Sequence, residues 1–243
     1  MISFVIPAHN EQTLIGRTIR AIHGAAQPLG IAYEVVVADD DSDDATGQIA
    51  QGAGARVVRV SHRQIAATRN AGARASGGNV LIFVDADTVV TARAVRDTVR
   101  AMERGATYGG AEIRWDGRVP LWTTLILRMM LIGYERFGFA SGAYLYARRD
   151  AFEAVGGFDE TLFAGEEIDV CQRLGRRGRH AWVRTPVYTS GRKLRTFSFI
   201  ELLGATGRLA VLGRRGVSTR ESLDLWYGPR REDPAGVPDV CPE

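Results

Sequence analysis

Residues 2–6 (ISFVI) form a short apolar run closed by Pro7, and residues 33–38 (YEVVVA) and 80–84 (VLIFV) repeat the pattern. Runs of this length suit strands buried on both faces, as in a parallel sheet. Residues 56–60 (RVVRV) add a further strand. Between these runs the spacing turns helical. Residues 11–24 place Leu14, Ile15, Thr18, Ile19 and Ile22 on one stripe. Residues 42–51 read as a capped helix, residues 64–75 turn Ile65, Thr68 and Ala71/Gly72 inward, and residues 91–104 form another helix. Strands alternating with helices of about a dozen residues predict βαβ units and a sheet covered on both faces.

After residue 104 the rhythm changes. Residues 108–115 and 141–147 read as strands, and 181–188 as a final strand around Pro186. Residues 119–137 read as an apolar helix, residues 166–177 as a helix with Ile168, Val170/Cys171 and Leu174 facing in, and residues 197–214 as an amphipathic helix. No fixed-period repeat or low-complexity linker divides the chain. The expectation is one α/β domain over residues 1–227 with a loose tail at 228–243.

Composition narrows the class. At 243 residues, 45% hydrophobic and 24% charged, the chain has ordinary globular values, which excludes a disordered, collagen-like or coiled-coil protein. Two distant cysteines, Cys171 and Cys241, signal neither a disulfide framework nor a zinc cluster, and a reducing cytosol is the default. MISFVIP enters the first strand without a basic leader, so no signal peptide is expected. Arg128 interrupts the apolar stretch 119–134, which falls short of the ~18–20 apolar residues of a spanning helix. A cytoplasmic protein is expected. Helices 119–137 and 197–212 leave two readings: peripheral contact with the inner face of the membrane, or packing on the sheet or in a homodimer.

The net charge of +3 hides an asymmetry. Residues 173–231 hold 14 Lys/Arg and 3 Asp/Glu, a local +11 that leaves −8 for the rest. Lys193 is the single lysine. Arginine binds phosphate through a bidentate fork, which fits a diphosphate or an anionic lipid. Few aromatics interleave the basic block and no nucleic-acid module is recognisable, so nucleic acid is disfavoured.

The polar residues gather where the strands end, the place where open α/β sheets bind ligands. Asn10 and Glu11 follow the first strand, Asp39–Asp41 the second, and Asp85-Ala86-Asp87 the fourth. In an extended segment residues i and i+2 share a side, so Asp85 and Asp87 face one spot. Mg²⁺ and Mn²⁺ favour such oxygen ligands and bridge them to substrate phosphates. Asp39 is assigned to a ribose hydroxyl or a base N–H, and Asp41–Asp44 to capping the next helix. Glu166, Glu167 and Asp169 open a helix that ends in Arg173, Arg176 and Arg177, as the helix dipole favours. The sharper reading makes Glu167 a general base beside Glu166, while the dipole account suffices for Asp169.

The stretches SFVIPAHNE (3–11), EVVVADDDSDDAT (34–46), ATRNAGARASGGNVLIFVDADT (68–88) and GGFDETLFAGEEIDVCQRLGRRG (156–178) resemble, in order and spacing, a family 2 glycosyltransferase of the GT-A, nucleotide-diphospho-sugar transferase type. The resemblance implies a Rossmann-like, mostly parallel sheet in a single domain, with a donor half at 1–104 and an acceptor half at 105–227. It also implies a UDP-, GDP- or dTDP-sugar donor, Mg²⁺ or Mn²⁺, a hydroxyl acceptor of glycan or lipid-linked type, and inversion at the anomeric carbon. Carried over residue by residue, Pro7, Ala8, His9 and Glu11 line the base pocket and Asp39 holds base or ribose. Arg63 or Arg69 supplies a basic contact. Asp85 and the adjoining Ala86 meet ribose or metal, Asp87 is the principal metal ligand, and Glu167 takes the acceptor proton. Separately from the resemblance, the basic block and TSGRKLR after the final strand place Arg192, with Lys193 and Arg195, to close over the diphosphate. The base position is commonly Asp after Glu, whereas this chain has Glu167 after Glu166. A Gln-x-x-Arg-Trp motif is absent, which points to single-sugar transfer. The rival readings are a nucleotidyltransferase that makes the donor, a retaining transferase, and an inactive nucleotide-sugar-binding or scaffold protein.

Overall fold

The computed structural model describes residues 1–196, with only the backbone of Leu121. The helix expected at 197–214 and the tail at 228–243 lie outside the described residues. The chain runs β1 (Ile2–Ala8), α1 (Ile15–Ala26), β2 (Tyr33–Asp40), α2 (Thr46–Gly52), β3 (Arg56–Val60), α3 (Ile65–Ala75) and β4 (Val80–Val84). It continues through β5 (Thr88–Val89), α4 (Ala92–Glu103), β6 (Tyr108–Trp115), α5 (Leu121–Phe137), β7 (Tyr144–Arg148), α6 (Arg149–Ala154), α7 (Glu166–Gly175), β8 (His180–Thr189) and α8 (Arg192–Thr196).

The strands form one sheet in the order β3-β2-β1-β4-β7-β6-β8-β5. The four βαβ strands pair in parallel, with Val5 opposite Val36 on one side and Phe83 on the other. β7 then runs antiparallel to both β4 and β6, β6 pairs β8 in parallel, and the short β5 closes the far edge antiparallel to β8.

The apolar runs serve two cores because successive strand residues point to opposite faces. Ile2, Phe4 and Ile6 of β1 and Ile82 and Val84 of β4 enter one core with Ile15, Ile19 and Ile22 of α1 and Ala94 and Val95 of α4. Val5, Leu81 and Phe83 enter the other with Ala66 and Ala73 of α3 and Val170, Cys171 and Leu174 of α7. Helices therefore cover both faces, as the alternation predicts.

Three local differences bear on the site. α1 begins at Ile15 rather than at Glu11, because the Glu11 carbonyl accepts from the Leu14 and Ile15 amides in a turn. β2 continues through Asp40, so two of the acidic residues are strand residues. The helical hexapeptide α6 was not expected from the sequence. Gln64 and Thr91 cap α3 and α4 by accepting from the Ala67 and Ala94 amides at 2.5 and 3.1 Å.

Candidate active site

The parallel strands β1, β2 and β4 deliver their carboxyl ends to one edge, and the loops there carry the candidate residues. Three non-glycine residues adopt positive φ in the described chain: Asn10 (52°), Asp41 (59°) and Arg63 (50°). All three sit at this edge, where strain of this kind concentrates at working sites.

Asp39 and Asp40 divide because β2 pleats them apart. Asp40 accepts hydrogen bonds from the His62, Arg63 and Gln64 amides at 2.7, 2.8 and 3.1 Å and from Thr68 Oγ1 at 2.6 Å. Burial alone would raise its pKa, yet these donors outweigh burial and hold it below the usual carboxylate range. Asp40 is therefore the anchor of the 62–68 turn. Asp39 is equally buried, and its Oδ1 has no hydrogen-bond partner. A methyl group at Gly47 would lie 2.7 Å from the other oxygen, so the glycine makes room for this carboxylate. Farther along the loop, Asp44 accepts from the Thr46 amide at 2.8 Å where α2 starts.

Pro7 and Ala8 end β1 as buried residues, and His9 follows with Nδ1 2.9 Å from the Asp40 carbonyl oxygen and 3.1 Å from Arg63 Nη1. Glu11 is buried, donates its amide to Thr46 Oγ1 at 2.8 Å, and meets Arg192 Nη2 through both carboxylate oxygens at 3.4 Å. Arg192 reaches it from α8, which is fastened by Asp116. That carboxylate accepts from the Gly191 amide at 2.9 Å and from Arg195 at 3.3 Å, and also meets Arg17.

The centre of the site is Arg69. Its side chain is 1% exposed, and it bonds Asp85 at 2.9 Å, Glu166 at 2.6 Å and Glu167 at 3.3 Å. These carboxylates stabilise the cation enough to offset its burial and raise its pKa beyond the ordinary value. Arg69, one of the two arginines expected to supply a basic contact, faces three carboxylates, and α3 holds it inside. Glu166 is buried, and burial together with Glu167 pushes it up to about 8 against the pull of Arg69. Glu167 keeps its side chain 21% exposed and is the accessible member of the pair. A side chain at Gly142 would collide with Arg69 and Glu167, so both pack on bare backbone there. Asp169 turns away and pairs with Arg173 at 2.5 Å, one turn along α7.

Asp87, in the turn between β4 and β5, accepts from Thr189 Oγ1 at 3.2 Å. Burial, Glu11 and Asp85 raise it to about 6, while Lys193 and Arg192 oppose them. Ala86 between the two aspartates is buried, and its carbonyl accepts from Thr18 Oγ1 at 2.8 Å, which fixes the backbone of the pair. Among the described residues no group of three or more His, Cys, Asp or Glu is spaced to hold a metal ion unaided. Asp85 and Asp87 still fit a divalent cation that draws its other ligands from a substrate phosphate. The like-charge crowding that raises Asp87 is what such a cation would relieve.

Sequence reasoning missed Gly142, Thr189 and Asp116. The first had a signal, a glycine at the mouth of the alternating segment SGAYLYA; the other two had none, since their roles arise from contacts across the sheet.

Comparison with known proteins agrees with this layout. The family model for glycosyl transferase family 2 matches residues 3–156, and the chain belongs to that family. An undecaprenyl-phosphate 4-deoxy-4-formamido-L-arabinose transferase of Pseudomonas paraeruginosa is 30% identical over 144 residues, 56% of this chain and 42% of that one. A dolichol-phosphate mannosyltransferase of Pyrococcus furiosus is 27% identical over 127 residues, 50% of this chain and 36% of that one. The chain thus spans about two fifths of the curated relatives it matches. Among solved structures, a mannosyltransferase from Pyrobaculum calidifontis in complex with GDP-Man and Mn²⁺ superposes with a TM-score of 0.68 at 15% identity, covering 88% of this chain and 62% of that one. Glucosyl-3-phosphoglycerate synthase from Mycobacterium tuberculosis, in complex with Mn²⁺ and UDP-glucose, gives 0.59 at 23% identity, covering 90% and 80%. These likenesses establish the GT-A fold.

Proposed function

We propose that the chain moves one sugar from a nucleotide-diphospho-sugar to an acceptor hydroxyl, non-processively and with inversion. The observation that carries this reading is the Arg69 cluster, which gathers Asp85 of the Asp-x-Asp pair and the Glu166–Glu167 helix start around one buried cation. Donor-side and acceptor-side groups are thereby held in one frame, consistent with a donor half at 1–104 and an acceptor half at 105–227.

Pro7, Ala8 and His9 border the nucleoside, and the unpartnered Asp39 oxygen accepts from its base or ribose. Asp87 with Asp85 would hold Mg²⁺ or Mn²⁺, which would supply charge neutralisation for the departing diphosphate. Glu167 takes the acceptor proton as the acceptor oxygen bonds the anomeric carbon and the bond from that carbon to the diphosphate oxygen breaks. Burial and Glu167 push Glu166 upward, while Arg69 ties it to Asp85 and Glu167 in one frame. Arg192 leaves Glu11 to meet the diphosphate. A lipid-linked acceptor hydroxyl suits this reading, since relatives are named for the lipid carriers undecaprenyl phosphate and dolichol phosphate.

Replacing Glu167 with Gln keeps the shape and removes the base. Single-turnover transfer is expected to fall by about 10²–10⁴-fold with donor affinity within about twofold. Transfer at the wild-type rate would remove Glu167 from the role.

A further inference from the structure

The helix α5 packs on the body by a narrow stripe. Thr123 is buried, Leu127 and Tyr134 are half-buried, and Leu131 joins the larger core. The opposite side is apolar and open: Leu125, Ile126, Met129, Ile132 and Phe137 are each more than half exposed, and Met130 is 41% exposed. A contiguous apolar surface of this kind marks an interaction face. The expectation that this helix covers the sheet thus holds only for its inner stripe. No helix among the described residues is long and apolar enough to cross a membrane.

The charges around the patch select the occupant. Arg118 precedes the helix, and Arg128 and Arg136 are exposed on it. The one acid in α5, Glu135, is paired with Arg184 at 3.2 Å. A second copy docked through a two-fold axis would set one basic-flanked face against another. Residues 197–243 hold six arginines and seven Asp/Glu, a near balance that offers the patch no marked complementary charge. An apolar stripe flanked by arginines matches one surface, the interface of an anionic lipid bilayer.

We propose that α5 lies in the surface of an anionic phospholipid bilayer, with Leu125, Ile126, Met129, Ile132 and Phe137 in the acyl boundary and Arg118, Arg128 and Arg136 among the headgroups. The segment after α5 leads straight to Gly142, on which Arg69 and Glu167 pack. A seated helix therefore sets the carboxylate cluster beside the lipid surface. The inference goes beyond the transferase reading and does not depend on it, because binding is measured without donor.

The test is co-sedimentation of the full chain with phosphatidylglycerol–phosphatidylcholine vesicles. Binding is expected to exceed that to pure phosphatidylcholine several-fold and to weaken as salt rises. Leu125→Glu with Met129→Glu is expected to lower binding at least tenfold, with an unchanged melting curve as the folding control. Arg128→Ala with Arg136→Ala is expected to remove the preference for anionic lipid. An environment-sensitive dye on Met129→Cys, in a Cys241→Ser background, is expected to shift to the blue on the same vesicles; Cys171 is buried. Absence of vesicle binding, binding unaffected by the paired glutamates, or an unshifted dye would overturn the proposal. So would a dimer that the same glutamates dissociate while vesicle binding is absent.

Discussion

Asp39 and Asp40 are neighbours in sequence and opposite in environment. Four donors satisfy Asp40, while one Asp39 oxygen is buried without a partner. The same contrast separates Glu166 from Glu167, and it has a measurable consequence. Glu166 is raised from 4.5 to about 8 and Asp87 from 3.8 to about 6. Both folded-state values exceed the unfolded ones, so the folded chain holds protons that the unfolded chain has released. The resulting penalty is absent below about pH 4 and complete above about pH 8. Thermal melts of the metal-free chain should lose stability as pH rises from about 5 to about 8, and Glu166→Gln should flatten the upper part of that slope, a change on the order of a few kcal/mol. An equal slope in the variant would contradict the assignment. Gly142→Ala tests the other side of the cluster. Its methyl must displace Arg69 or Glu167, so stability should drop by about 1–3 kcal/mol, read from the denaturation midpoint. At this scale the sequence exposes the acids well, because Asp85, Asp87 and Glu167 stand at strand and helix ends. It hides the direction of Arg69, whose partners lie 16, 97 and 98 residues away.

At the scale of elements, the periodicity reads the βαβ portion correctly, since its runs and stripes each answer to a single local core. The Thr88–Val89 strand and the six-residue α6 escape it, because two to six residues carry no period. The element with the most to test is the strap at 189–196. Thr189 touches Asp87, Asp116 holds Gly191 and Arg195, and Arg192 spans to Glu11. This places a cation next to the Asp-x-Asp pair on a segment anchored at both ends. Arg192→Ala should weaken nucleotide-sugar binding about tenfold by titration calorimetry, the scale of one lost charge-assisted hydrogen bond. Unchanged affinity and turnover would assign Arg192 to Glu11 alone.

At the scale of the whole molecule, alternating strands and helices predict a parallel sheet with helices on both faces, and the first four strands obey. The order of the later strands was not legible. β7 enters antiparallel between β4 and β6, a pairing fixed by long-range packing rather than local pattern. The near-neutral total charge is likewise a sum of unlike parts, an acidic strand-end rim and a basic final third, which together suit a cation and a diphosphate. The central claim is that this rim performs metal-dependent sugar transfer. Its most direct test is hydrolysis of UDP-, GDP- and dTDP-sugars with Mn²⁺ by the wild-type chain and by Asp87→Ala. Slow hydrolysis of one donor class, reduced at least ~10²-fold in a folded Asp87→Ala, is the predicted result. Donor binding without turnover in the wild type, or equal turnover in the variant, would contradict it.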